Sequence, residues 1–185
     1  NGEGFSLVKW KHHCMMAMLF YTQYNNTNSQ AIIGNGTTTI EKNGYNDVLG
    51  MNDTVASENG DNPINFWGLE NWWGSRTELI ENMTQANGTY TITEDDGTIR
   101  TITSPQPTTY YAKKMYFGSD IDLIAKEIGG SNTLYFCDYF LTQYTGYRVV
   151  YRHNTPANGE TGISAIVSTK SNSENCGTRI CYRGD

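Results

Sequence analysis

Hydrophobic residues recur at three- and four-residue spacing over one long stretch. Trp10, Cys14, Ala17, Met18 and Tyr21 fall on one helical face, which predicts an α-helix over 6–24 with Ser6 as its cap. Met15, Met16, Leu19 and Phe20 widen the apolar face, so the helix is expected to pack deeply. Elsewhere the period is two. Thr89–Thr93 and Thr98–Thr103 alternate β-branched residues around Glu94-Asp95-Asp96-Gly97, the signature of a β-hairpin that ends at Pro105 and Pro107. Strands are predicted over 146–152, 162–168 and 177–183, and Glu78 to Met83 reads as a short helix or the start of a strand. Ile121 to Ile128 reads as a short helix closed by Gly129-Gly130.

Two stretches break both periods. Asn65-Phe66-Trp67-Gly68-Leu69-Glu70-Asn71-Trp72-Trp73-Gly74 concentrates three indoles and a phenyl ring between glycines. Rings of this size carry large apolar areas, so 65–74 is expected to form an irregular, largely buried knot on which the rest of the chain packs. Residues 25–63 are dominated by Asn, Gly, Asp and Pro and are predicted to be mostly loop, pinned by Ile32, Ile33, Val48, Leu49 and Met51.

Composition narrows the class. The 185 residues fit one domain; only 17% are charged, while Gly (19) and Tyr (13) are abundant, as in a loop-rich protein that makes neutral polar contacts. A net charge of -6 argues against a nucleic-acid partner. No apolar run is long enough to span a bilayer, so no membrane insertion is expected. With no initiator Met and no signal peptide, the sequence reads as the mature or excised, C-terminal part of a longer chain.

The chemistry-bearing residue types point to no catalytic set. Cys14, Cys137, Cys176 and Cys181 lack zinc-site spacing, leaving one bridge or free buried thiols as the alternatives. His12 and His13 are adjacent and would diverge on a helix, unlike ligands at i, i+4. Asp47, Asp53 and Asp61 do not have the spacing of an EF-hand loop and read as solvated carboxylates. Arg148 and Arg152 share a strand face and read as scaffold, with Glu70 and Glu78 as candidate partners. The closing Arg183-Gly184-Asp185 and the sequons at Asn35 and Asn87 follow from composition.

The order of features carries a resemblance. An early helix with a central Trp precedes a long loop, then Asn65, Gly68, Leu69, Asn71 and Gly74, then Arg148-Val149-Val150-Tyr151-Arg152, then Gly177-Thr178-Arg179-Ile180. This resembles the formylglycine-generating-enzyme-like branch of the C-type lectin fold, with the second half of the Trp motif replaced by Ser75, Thr77, Glu78 and Leu79. Within that branch the chain is most similar to the variable proteins of diversity-generating retroelements and their phage-tail and bacterial surface-adhesin relatives. The resemblance implies an α+β fold of C-type lectin-like type, with a small antiparallel sheet, one or two helices, and 84–118 as an inserted hairpin region. It also implies an extracellular ligand-binding domain without cofactor or catalysis, on a virion tail or bacterial cell surface. Its partner would be a host-cell surface protein or glycan, and a homo-oligomer is compatible with that role.

The surface so implied lies in the C-terminal third. Tyr139, Gln143 and Tyr144 precede the Arg148 strand, and His153, Asn154, Thr155 and Glu160 follow it. If Ile163, Ala165 and Val167 point inward, Ser164, Ile166 and Ser168 lie on the opposite, exposed face. Exposed rings with small polar neighbours suit a protein surface or a glycan. Two alternatives accompany this reading. The resemblance also implies a copper-dependent oxidase, with Cys176 and Cys181 as the only close thiol pair, although a buried small hydrophobe accounts for Cys181. The other is a purely structural domain of a virion or pilus.

Overall fold

The structure is a computed structural model and describes residues 5–36, 52–54, 64–74, 77–105, 109–117, 121–142, 146–152, 162–169, 176–177 and 179–182. In chain order the elements are β1 (Phe5–Leu7), α1 (Trp10–Tyr24), α2 (Ser29–Ile32), β2 (Asn52–Thr54), β3 (Ile64–Phe66), β4 (Leu69–Glu70), β5 (Thr77–Ala86), β6 (Thr89–Thr93) and β7 (Ile99–Thr103). They continue with β8 (Thr109–Met115), β9 (Ala125–Ile128), β10 (Tyr139–Thr142), β11 (Tyr147–Arg152), β12 (Ile166–Thr169), β13 (Cys176–Gly177) and β14 (Ile180–Tyr182). The fold is α+β, with two helices against small, mainly antiparallel sheets. Among the described residues no helix is long and apolar enough to cross a membrane.

The largest sheet runs β7-β6-β5-β11-β12-β10-β8-β9, with β13 parallel to β5 off this path. The Asp-Gly hairpin forms as its pattern requires, with Thr91 opposite Thr101 and Thr93 opposite Ile99. Glu78 to Met83 resolves as strand, because β5 pairs with β6 on one side and β11 on the other. Between Val149 and Tyr151 the β5–β11 register shifts, with extra residues on β5. There β5 turns toward α1: Glu81 N donates to Val8 O (2.9 Å), and Asn82 Oδ1 accepts from Trp10 N (2.8 Å). Segment 84–118 is woven into this sheet, since β8 lies between β9 and β10.

Two predicted helices change extent or type. Residues 6–9 do not join α1, because β1 pairs with β14, Ser6 opposite Cys181. Ser6 is therefore not the cap; His12 Nδ1 accepts from Lys9 N (3.1 Å) and closes the first turn. The predicted helix over 121–128 is replaced by β9, which satisfies the free edge of β8 (Met115 opposite Ala125). Its approach is irregular, with Ile121 and Leu123 in the left-handed region at φ 52 and 43, values that no right-handed α-helix contains. Edge pairing overrides a weak local preference here.

The core is aromatic where the sequence concentrates rings. Phe20 from α1 meets Phe66 (5.6 Å between centroids) and Trp73 (6.0 Å), and Phe66 meets Trp73 at 5.9 Å. Both buried indoles that reach polar groups find carbonyls: Trp73 Nε1 donates to Gly34 O and Trp10 Nε1 to Asp122 O. Gly36 and Gly74 cross so closely that a Cβ on either would lie 2.2–2.4 Å from the other's backbone. The stretch 65–74 is more regular than its composition predicts. β2, β3 and β4 form a three-stranded sheet, and Trp67-Gly68 is the two-residue turn between β3 and β4. Trp72 and Trp73 are buried, whereas Trp67 stands out from the surface.

Candidate functional site

β10, β12 and β11 are neighbours in the sheet and carry the segment expected to form the recognition surface. Tyr139 opens β10, half-buried, with its ring edge-on to Tyr111 at 5.6 Å. Gln143, Tyr144, His153, Asn154, Thr155 and Glu160 lie outside the described residues. The expectation that Ser164, Ile166 and Ser168 face outward is corrected: they are 1%, 1% and 0% exposed. Residues 162–165 form a turn, so the two-residue period begins only at Ile166. β12 is also an internal strand, and here both of its faces are covered.

β10 is parallel to β12 (Thr142 beside Ser168), and β11 is antiparallel to it (Val149 beside Thr169, Arg152 beside Ile166). β10 therefore finishes at the end of the sheet where β11 begins, and β11 finishes at the other; its six residues span roughly 17 Å.

At the second end a buried carboxylate organises the frame. Asp138 Oδ2 accepts from Ser164 N (2.8 Å) and Ser164 Oγ (2.7 Å), and Asp138 Oδ1 accepts from Gln30 Nε2 (3.0 Å). Ser29 Oγ accepts from Ile163 N (3.0 Å). Gly162 sits against this cluster, and a Cβ there would lie 2.2 Å from both Asp138 Oδ1 and Ser29 Oγ. Burial pushes the Asp138 carboxyl above its usual pKa, while the Ser164 donors oppose the shift. The cluster ties α2, the start of β10 and the end of the 153–161 segment into one unit. Tyr21 on α1 adjoins it; burial, then the Asp138 charge, raises the phenol well above its normal pKa. The Tyr21 hydroxyl approaches Ser164 without a hydrogen bond of ordinary geometry.

Beside this unit, past the last turn of α1, lies an open cleft of about 390 Å³ lined by Tyr21, Asn25, Asn26 and Thr27. Among the described residues no charged side chain lines it. Asn25 ends the helix in the left-handed conformation (φ 47). Asn26 Oδ1 accepts from Asn28 N (2.8 Å), leaving its amide NH2 as a donor. Thr27 Oγ1 donates to Tyr135 O and contacts Cys137 Sγ, and Phe136 packs edge-on against Tyr21 at 5.9 Å. Two exposed rings are tied to the same helix end. Trp67 is 49% exposed, its Nε1 donating to Gln23 Oε1 (2.8 Å); Tyr135 is 45% exposed, with Lys113 Nζ 5.8 Å from its ring centre. Both have left-handed backbones, φ 52 and 65. For residues of this bulk that conformation costs about 1–2 kcal/mol. Ile121 (φ 52, 37% exposed) and Leu123 (φ 43, fully buried) share it elsewhere in the chain.

A second cleft, about 360 Å³, lies at the opposite end of α1 and is lined by Lys9, Glu81, Asn82, Thr84, Thr91, Thr93, Glu94 and Asp95. Its charges are largely consumed internally. Lys11 and Lys9 both bind Asp95 and hold its carboxyl far below the usual range. Arg100 bridges Glu94 (2.7 Å) and Asp122.

Among the described residues no group of three His, Cys, Asp or Glu side chains is placed to hold a metal ion. His13 is buried and stacks on Trp10 at 4.8 Å. Cys14 and Cys137 are free thiols, both raised in pKa mainly by burial. Cys176 and Cys181 lie on β13 and β14, which pair with different strands. Glu78, a candidate partner of the Arg148 pair, accepts from Arg179 Nε (2.8 and 3.0 Å). The Arg179 guanidinium also reaches the carbonyls of Glu70 and Asn71 and lies 5.7 Å from the Trp72 ring.

The cleft residues escaped the sequence reading, although a run of Asn after a Tyr-rich helix end is a visible signal. The chain is thus a small, loop-rich α+β protein with a neutral cleft at one helix end. No protein-family model matches it, and no curated protein matches it.

Proposed function

We propose that the chain is a recognition module of C-type lectin-like type, as in the variable proteins of diversity-generating retroelements. In this reading it is displayed outside the cell, on a phage tail or bacterial surface, and binds a host-cell surface protein or glycan without catalysis or cofactor. The observation that carries the reading is the Asp138 cluster, which anchors Gly162 at the end of the strands where Tyr139 and the neutral cleft also lie. In sequence, the His153 to Glu160 segment, with one His, two Asn and one Thr, follows Arg152 and precedes Gly162. Loops on a rigid frame are where binding residues concentrate. The surface proposed centres on Tyr139 and His153 to Glu160.

Binding of the labelled chain to a panel of bacterial cells and to a cell-surface glycan and protein array tests the proposal. The triple change His153→Ala, Asn154→Ala, Thr155→Ala is expected to weaken binding at least tenfold with the unfolding temperature unchanged. A chain that binds nothing on the panel, or a triple variant that binds as well as the parent, contradicts it.

A further inference from the structure

The cleft past α1 has a ligand chemistry of its own, and we propose that it binds a neutral saccharide, with Trp67 and Tyr135 as stacking platforms and the Asn25, Asn26 and Thr27 side chains as hydrogen-bonding groups. This extends the recognition reading to a defined site and ligand class and rests on that reading only for its biological setting.

Three independent observations converge on it. The first is the lining among the described residues: two primary amides, a hydroxyl and a phenol ring, none of them charged. A polyol presents closely spaced donors and acceptors, and an amide supplies both from one rigid plane. The second is the pair of rings. Trp67 and Tyr135 are about half exposed although each is large and apolar, and each is fastened to the last turn of α1 or its continuation, through Gln23 and Thr27. The C–H face of a sugar ring is apolar and stacks on such a ring. The third is backbone conformation. Trp67 occupies the first position of a two-residue β3–β4 turn, with φ 52 there and 74 at Gly68. Asn or Gly is the residue that turn favours at its first position. Local preference and burial would both remove Trp67 from this place, and Tyr135 at φ 65 is a second case at the same helix end. Strain of this kind gathers at ligand sites.

Charge selects the class. Among the described residues that line the cleft none is cationic, and the protein carries a net charge of -6, so an acidic sugar would be repelled at long range. The volume, about 390 Å³, suits one or two sugar units of a longer glycan.

The test titrates the intact chain with maltohexaose, cellohexaose, mannohexaose and chitohexaose, and with sialyllactose as the acidic comparison, followed by indole fluorescence and calorimetry. Saturable binding of at least one neutral oligosaccharide is expected, changing less than twofold between low and high salt. Asn26→Ala and Tyr135→Gly are each expected to weaken it at least fivefold. Trp67→Gly should weaken it at least tenfold while leaving the unfolding temperature equal or higher, a pairing that a merely structural role does not produce. Binding of none of the four, binding of sialyllactose alone, or full affinity in Trp67→Gly overturns the proposal. If cell binding persists and responds to the His153 triple change while the oligosaccharides fail, the recognition reading stands and the saccharide site falls.

Discussion

The two ends of α1 solve opposite problems. At its start, polar groups are consumed by the protein itself: Lys9 and Lys11 clasp Asp95, Arg100 spans Glu94 and Asp122, and Asn82 joins the Trp10 amide to the Thr93 carbonyl. Trp10 is sealed inside. At its finish, the carboxylate is buried, the surface is neutral, and the rings stand outward in backbone conformations that disfavour them. The first end behaves as a clamp that holds the β6–β7 hairpin to the helix. The second behaves as a display surface over a buried support.

Breaking the support should have the largest effect. Asp138→Ala strips the acceptor from Ser164 N, Ser164 Oγ and Gln30 Nε2 and is expected to lower stability by about 3 kcal/mol, read by urea unfolding. Gly162→Ala should cost about 2–3 kcal/mol, because its Cβ meets two fixed oxygens at 2.2 Å. Both changes should also abolish ligand binding, since they release the anchor of the 153–161 segment.

Acidity sharpens the contrast, because the two carboxylates shift in opposite directions. Asp138 is raised, so the folded state binds its proton more tightly than the unfolded state. Its contribution to stability is complete below the unfolded value of 3.8 and is lost as pH rises through the higher folded value. Asp95 is lowered, so its contribution is present above 3.8 and lost as pH falls through the depressed value. Stability measured across pH 2 to 8 for the parent, Asp138→Asn and Asp95→Asn should therefore give difference curves of opposite slope. The clamp is partly exposed, and Asp95→Asn should cost only about 0.5 kcal/mol near neutral pH, less in high salt. On the far edge, Glu127 is held down to about 2 by Lys113 and Lys114.

The helix and the hairpin that the clamp joins were legible in the sequence; the ion pairs between them and the display surface were not. Strong local signals survive into the fold: the helical face from Trp10 to Tyr21, the Asp-Gly hairpin, and the strand at 147–152 all lie where periodicity puts them. Misreadings came where pairing partners are distant. Ser6 looked like a cap because nothing nearby reveals that β14 would claim it. Ile121 to Ile128 looked helical because the open edge of β8 cannot be seen from eight residues. Ser164, Ile166 and Ser168 were assigned to an exposed face by alternation, a rule that fails on an internal strand preceded by a turn. Two indoles of the 65–74 stretch obey the expectation of burial; Trp67 departs from it because the β3–β4 turn points it away from the core. That departure, like Tyr135 and Ile121, is a place where local preference and structure disagree, and such disagreements gather at functional sites.

The most direct test is a paired measurement on Trp67→Gly: affinity for a neutral oligosaccharide and unfolding temperature on the same preparation. A display surface kept outward against local preference predicts affinity lower by tenfold or more with an unfolding temperature equal to the parent's or above it. Unchanged affinity, or a fall in unfolding temperature that accompanies the loss, would show instead that this indole serves the fold.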